Sequence, residues 1–520
     1  MTPSRRLLAI ADDLSGAAEV AAAVCSRTTR SRVLLFGGPG AAGTVTALRP
    51  RHVGEATVLD LDSRYRPAAE AAEAVREALR MSWPDADGQG ASDALDTLDT
   101  FVLKKIDSLL RGNVAAEIAA LAEDGAGVVL APALPIAGRV VRSGVVHIGG
   151  VPLHEGDAWR AEAVPPPASV AQALGGLPTV LVPLTTVRSS RPTLLTALRA
   201  AATAGRVAIC DAETDADLDA IVEASLADGP GMRLVGSGGL ALAVGRHLAT
   251  AFPAAPAAPA APGPWRPAAK DIRSPAAAGL AAPDATGSVA TAVGGPTVSD
   301  TLGRASPDTA RAPALATPAA AAATAGTAAP SADTAADPDA ATASAHTGRP
   351  VLVVVGTAEP AAVEQVRRLI EDGAGHQRLP IAGLLADGPP VRLPALTAAV
   401  TVVSLGASPR SPGRTPSYEA VPLPSPRPAP PSAGEAEPAS GRRLVLGLAR
   451  AVRAAVAAHH GAVDLVLTGG ETARRVLDAL AVTELDPVGQ VHHGAVHLRA
   501  PDGRSIVTRP GSFGDPDSLR

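Results

Sequence analysis

The sequence predicts an α/β protein of two domains with mainly parallel sheets, a substrate cleft between the domains and a long disordered segment joining them. Three observations carry this expectation. Short β-branched runs alternate with alanine-rich amphipathic stretches, the pattern of successive βαβ units. The alternation stops at residue 253 and resumes at 351, and the stretch between is dominated by Ala, Pro, Thr, Gly and Ser. Charged or glycine-rich turns follow the strand-like runs, the place where open α/β sheets bind ligands.

In the first half, strands are expected at 7–10, 33–36, 57–61, 101–103, 128–130, 179–182, 207–210 and 233–235, and together they define a domain over residues 1–252. Residues 253–350 hold too few large apolar side chains to offset the entropy of ordering, so they read as a disordered low-complexity linker. Regular patterning returns in residues 351–520 with strands at 351–355, 400–403 and 465–467 and helices at 361–370 and 444–458. A proline-rich stretch at 408–440 reads as a flexible insertion in this second domain.

Composition narrows the function. A chain of 520 residues has material for two to four domains. Its residues are 46% hydrophobic but only 2% aromatic, and its net charge is −5; stacking platforms and a broad basic field are both missing, so no nucleic-acid partner is expected. Cys25 and Cys210 lie in apolar runs and read as buried thiols of a reduced protein. The apolar run at 7–11 is cut by Asp12 and Asp13, too soon for a signal peptide, and no window reaches the roughly 18 apolar residues of a membrane span. The protein is expected in the cytoplasm, without a membrane partner; a homo-oligomer is left open.

The chemistry concentrates in the strand-end turns. Residues 104–113 read Lys-Lys-Ile-Asp-Ser-Leu-Leu-Arg-Gly-Asn between an apolar strand and a helical spacing, with Asn113 placed to cap the helix. Lys104, Lys105 and Lys270 are the only lysines, so an ammonium here stands out against an arginine background. Asp12 and Asp13 close the first strand. Such a pair can orient a hydroxyl, take its proton or hold a hydrated Mg²⁺, while one of them can simply cap the next helix. Asp62 to Arg66 follow the third strand, and Arg64 offers a fork for a carboxylate or phosphate.

Other turns are less definite. Gly138-Arg139 and Gly149-Gly150 punctuate an excursion that is either a pocket wall or a surface hairpin, and Ser237-Gly238-Gly239 is a tight strand-to-helix turn. In the second half Gly356-Thr357, Gly469-Gly470-Glu471-Thr472 and the turn around Gly511 each follow a strand, where free N–H groups can cradle phosphate oxygens. A Walker A loop is excluded because residues 351–520 contain no lysine. The pairs His459-His460 and His492-His493 lack the context of zinc ligands and read as surface residues.

These motifs resemble one family in combination. Ile10 to Ala17, Lys105 to Asn113 and Gly469 to Thr472 are similar to the N-terminal, Lys-x-Asp-Ser and nucleotide-turn motifs of the four-carbon acid sugar kinases, which include 3-oxo-tetronate, threonate and erythronate kinases. The resemblance implies an acid-sugar domain followed by an ATP domain, with a phosphoryl group passed to a terminal hydroxyl. The chain departs from the family pattern at Leu109, at Arg509-Pro510 and at His492-His493-Gly494.

The combined reading is an ATP- and Mg²⁺-dependent carbohydrate-acid kinase. Asp13, with Asp12 as alternative, orients or deprotonates the attacking hydroxyl, and Lys105 completes the catalytic set. Arg64, Asp107, Arg111, Asn113 and Ser237 bind the acid sugar. Thr357, Gly469, Gly470, Glu471, Thr472 and Gly511 bind the nucleotide, and no residue is assigned as a dedicated metal ligand. A non-catalytic acid-sugar or nucleotide sensor would use the same pockets, and a dinucleotide-dependent dehydrogenase would need a Gly-x-Gly-x-x-Gly turn that is not found.

Overall fold

The computed structural model describes residues 6–25, 30–37, 55–82, 100–251, 349–406 and 437–519, apart from 161, 163, 228, 230, 358–359 and 512–515. Of the linker expected over 253–350, residues 253–348 lie outside the described residues, as do residues 408–436 of the insertion expected over 408–440. Residues 437–440, expected in that insertion, instead open the helix Glu437–Ala458.

The N-terminal region carries β1 (Arg6–Ala11), β2 (Ser31–Leu35), β3 (Ala56–Asp60), β4 (Thr100–Lys105), β5 (Gly127–Ala131), β6 (Arg139–Arg142), β7 (Val145–Ile148), β8 (Val151–Pro152), β9 (Thr179–Val182), β10 (Val207–Cys210) and β11 (Met232–Gly236). Eight of these form a parallel sheet in the order β2-β3-β1-β4-β11-β5-β10-β9. Its inner strands are buried on both faces, which is why they read as unbroken apolar runs and not as alternations. The remaining three, β6 to β8, make a small antiparallel sheet.

The C-terminal region adds β12 (Val351–Val355), β13 (Gly375–Pro380), β14 (Val400–Gly406), β15 (Asp464–Thr468), β16 (Glu484–His492), β17 (Ala495–Arg499) and β18 (Ser505–Arg509). The parallel order is β13-β14-β12-β15-β18, and β17 and β16 continue it antiparallel. Strand β16 then pairs antiparallel with β2, Leu485 opposite Val33. The two sheets thereby become one of 15 strands, and the two regions fall in one compact unit.

The strands at 484–509 have no counterpart in the sequence reading. β16 carries Pro487 and Gly489 at a register irregularity and few apolar residues, so no clear period survives there.

Helix α1 (Leu14–Cys25) follows β1 and is buried along most of its length. It packs against helix α3 (Gly238–Ala251), helix α4 (Gly470–Ala479) and strands β16 to β18, and so bridges both regions; α2 (Val114–Ala122) follows β4. Buried ion pairs fasten the same junction. Arg474 of α4 reaches Asp60 at 2.9 Å and donates to Phe36 O at 2.6 Å, with both side chains of the ion pair at most 1% exposed. Arg475 pairs with Asp62 beside it. Burial pushes Asp60 up to about 6 despite the arginine. Cys210 is buried as expected, whereas Cys25, at the end of α1, is half-buried.

Candidate active site

Strand order reverses at β1, between β3 and β4, and again at β12, between β14 and β15. Loops leaving such a switch point diverge and open a crevice. In the N-terminal region the loops after β1, β3 and β4 carry Asp12-Asp13, Asp62 to Arg66 and the charged decapeptide. In the C-terminal region the loops after β12, β15 and β18 carry Gly356-Thr357, Gly469-Gly470 and Pro510-Gly511.

Asp13 joins these two sets. Its Oδ1 accepts from Gly16 N at 2.8 Å, capping α1 as the ordinary alternative foresaw. Its Oδ2 accepts from Arg64 Nη1 at 2.8 Å and occupies the space that a Cβ on Gly470 would need. Asp12 takes the other edge of the same guanidinium, at 2.8 and 3.1 Å. Arg64 therefore clamps the carboxylate pair.

The two carboxylates are driven apart. Burial opposes the charged form of Asp12, but Arg64, Lys104 and Lys105 outweigh it and hold its pKa below the ordinary value. For Asp13, burial and the neighbouring Asp12 prevail over Arg64, and its pKa lies above the ordinary value. A pair split in this way supplies one permanent anion and one group able to exchange a proton.

The adjacent lysines go opposite ways, because successive side chains of a strand face opposite sides of the sheet. Lys104 is fully buried and pairs with Glu117 of α2 at 3.0 Å, and Glu117 also accepts from Ser63. Lys105 enters the cleft, 3.4 Å from Glu19 and 3.1 Å from Ile106 O. Asp107 and Arg111 form a forked pair at 2.6 and 3.0 Å, and although burial works against the ion, Arg111 keeps Asp107 well below the usual carboxylate range.

Two assignments take a different place from the expected one. Asn113 does stand before α2, yet its side chain makes no cap bond; its amide donates instead to Ser63 O and Arg66 O, both at 2.8 Å, and ties the loop after β3 to the loop after β4. Ser237 is fully buried and donates to Ala133 O at 2.6 Å, while Gly238 faces the cleft in its stead.

The cleft is lined by Asp13, Ser15, Lys105, Asp107, Arg111 and Arg139 together with Arg64, Glu19 and the backbone of Gly494 and Pro510. Arg139 settles the excursion as a pocket wall: its guanidinium donates to Ser108 from β6, and burial lowers its pKa. His493, expected at the surface, is half-buried; burial lowers its pKa and it senses Glu19 and Arg139 across the junction. Its backbone partner Gly494 reaches the cleft only because of the β16–β17 turn, which no periodic signal announces. Glu19 could have been found from α1, one turn beyond Ser15 on the face bearing the acidic motif.

The glycine turns converge as well. A Cβ on Gly356 would collide with Thr472 Oγ1, and one on Gly511 would sit 3.6 Å from Gly469 Cα and 3.7 Å from Thr357 Cγ2. Gly469 precedes α4 with φ of 95°, a conformation that glycine adopts without strain. No side chain caps this helix, so its first N–H groups point at the space beside Asp13. Glu471, in the first turn, is pushed upward by burial. Among the described residues no group of three or more His, Cys, Asp or Glu is placed to hold a metal, and no helix is long and apolar enough to cross a membrane.

Comparison with known proteins finds one family model in each region. A family model described as a sugar-binding N-terminal domain matches residues 7–244, and one described as a nucleotide-binding C-terminal domain matches 352–519. The D-threonate kinase of Cupriavidus necator is 39% identical over 240 residues, 46% of this chain and 53% of that protein. The 3-oxo-tetronate kinase of Methylobacterium radiotolerans is 32% identical over 247 residues, 46% of this chain and 54% of that protein. The chain thus spans about half the length of the curated relatives it matches. Two solved structures share the fold: one from Salmonella typhimurium LT2, with a TM-score of 0.58 at 16% identity over 98% of this chain and 97% of that one, and Haemophilus influenzae protein HI1011, with 0.52 at 16% over 98% and 97%. With both of its regions matched in order, the chain belongs to the family of proteins that join a sugar-binding N-terminal domain to a nucleotide-binding C-terminal domain.

Proposed function

We propose that the protein transfers the γ-phosphoryl group of ATP to the terminal hydroxyl of a four-carbon acid sugar of the 3-oxo-tetronate, threonate or erythronate type. One observation carries the reading: Asp13 Oδ2 occupies the space beside Gly470 at the open N-terminus of α4. A proton acceptor on the charged side and a phosphate cradle on the glycine side are thereby within one reaction's reach.

In this reading residues 1–252 hold the acid sugar and residues 351–520 the nucleotide. Lys105 and Arg139, with Arg111 beyond them, receive the sugar carboxylate; Asp107 and Ser108 meet its hydroxyls. Asp12 and Arg64 hold Asp13 in place. The substrate oxygen attacks the γ-phosphorus while its proton passes to Asp13, the bond to the β–γ bridging oxygen breaks, and ADP leaves with that electron pair. The N–H groups of the Gly469 to Thr472 turn, with Thr357 and Gly511 alongside, receive phosphate oxygens. Asn113 and Ser237 act by fixing loops.

Mg²⁺ keeps several of its own waters and takes one or two protein carboxylates plus phosphate oxygens. The Thr472 hydroxyl, which borders the glycine turn, would add a protein oxygen to the ion's shell of water and phosphate oxygens. When bound, the ion supplies charge neutralisation on the phosphates.

The test is a coupled assay of ADP release with ATP and a panel of threonate, erythronate and 3-oxo-tetronate stereoisomers. Turnover of at least one is expected. Stabilisation by the same ligands without ADP release would replace the kinase with a sensor.

A further inference from the structure

We propose that Ser15 contacts the phosphoryl group in flight, donating its hydroxyl hydrogen to a γ-phosphate oxygen seated at the N-terminus of α4; the proposal rests on the kinase reading and names a group that reading leaves out. Ser15 is 8% exposed, and its Oγ has no hydrogen-bond partner among the described residues. A buried hydroxyl without a partner is costly, and such groups persist where a ligand completes them. Its position identifies the ligand. Ser15 lines the cleft with Asp13 and Lys105, and its Oγ lies 3.3 Å from where a Cβ on Gly470 would stand.

The neighbours all point to an anion. Gly470 opens a ten-residue helix that no side chain caps, so the ends of its peptide groups present positive partial charge. Asp13 fills the remaining side with a carboxylate, which is where the attacking hydroxyl has to arrive and not the phosphate. Ser15 comes from α1 and Gly470 from α4, and these two helices pack against each other. One oxygen atom from the sugar region would thus join the backbone donors of the nucleotide region on the same phosphoryl group. A neutral donor suits this place, since a second cation would pair with Asp13 and quench it.

Ser15→Ala and Ser15→Thr separate this role from a structural one. Preorganised donors to a transition-state oxygen are worth on the order of 10- to 10³-fold in turnover. Ser15→Ala is expected to lower kcat about 10-fold or more, leave KM for the acid sugar and affinity for ADP within about twofold, and weaken binding of ADP with aluminium fluoride in parallel with kcat. Ser15→Thr, which keeps the hydroxyl, is expected to recover most of the loss. An unchanged kcat in Ser15→Ala overturns the proposal, as does a loss matched by equal losses of ADP affinity and melting temperature. Stabilisation of the unliganded protein by inorganic phosphate needs no turnover and distinguishes the two readings. If wild type releases no ADP with any acid sugar, the kinase reading falls, and the seat then stands only if phosphate stabilises wild type and Ser15→Thr but not Ser15→Ala.

Discussion

The turn after β1, with the loops after β3 and β4 gathered round it, faces the turn after β15, and the two are built on opposite plans. The first is crowded with charge, and nearly every charge is already matched: Arg64 by Asp12 and Asp13, Lys105 by Glu19, Arg111 by Asp107. The second carries a single acidic side chain, Glu471, and otherwise offers peptide N–H groups. Side chains can be tuned and aimed, so they suit a substrate with stereochemistry. Backbone groups cannot be removed by mutation or titrated, so they suit a phosphate chain that is the same in every turnover. Specificity should therefore respond to substitutions in the first turn, and general phosphate handling to backbone changes in the second.

The largest effect is expected at Asp13. Asp13→Asn should lower kcat by about 10³-fold, within the range for losing a general base. Because burial and Asp12 raise its pKa, wild-type kcat/KM should fall as pH drops through a value above the ordinary carboxylate range, where Asp13 takes up a proton. The residual rate of the variant should lack that limb. A retained limb would move the base elsewhere.

Next come the two lysines. Lys105→Ala should cost roughly 10²-fold in kcat/KM with little loss of stability, as expected when a charge that positions the substrate is lost. Lys104→Ala should do the reverse: it leaves Glu117 buried without its cation, a loss of about 3–5 kcal/mol in folding, read from denaturant unfolding. If the two variants behave alike, the division between cleft and core across β4 is wrong.

A smaller effect is expected across the seam. Gly470→Ala puts a methyl into the space of Asp13 Oδ2, so kcat should drop tens of fold while the acid sugar's own binding weakens by less. A variant that loses ADP affinity alone would show that the two turns work independently.

The smallest concerns the junction. Asp60 titrates near 6 in the folded chain and near 3.9 when unfolded. Between these values the folded form holds a proton that the unfolded form has released, so stability declines as pH rises through the window. Asp60→Asn should flatten that slope in melts followed from about pH 4 to pH 6.

Periodicity made the parallel strands legible because a buried strand needs a run of apolar residues and little else. The same economy hid the antiparallel strands β16 and β17, which carry Pro487, Gly489 and histidines. Asp13, Lys105 and Gly470 could be read from their place after strands. What spacing could not show was pairing: Arg64 looked like a substrate fork, and only the fold reveals that two carboxylates occupy it. Asn113 and Ser237 illustrate a related point, since a polar side chain in a turn is as able to bind a neighbouring carbonyl, as both do here, as a ligand. Arg139 and His493 reach the cleft through hairpins, whose direction no one-dimensional pattern records.

The pairing of β16 with β2 has one more consequence, for how the chain can be handled and how it can fail. β2 is wholly buried and ends in the apolar run Val33-Leu34-Leu35, and β16 covers its outer edge. Cut away from its C-terminal half, the sheet would end in an open row of N–H and C=O groups flanked by Val33, Leu34 and Leu35, which is a template for strand addition from any other chain. The N-terminal half expressed alone should therefore self-associate, even though its parallel core is complete. Supplying the C-terminal half as a separate chain would act as an edge guard, restoring solubility before it restores any chemistry.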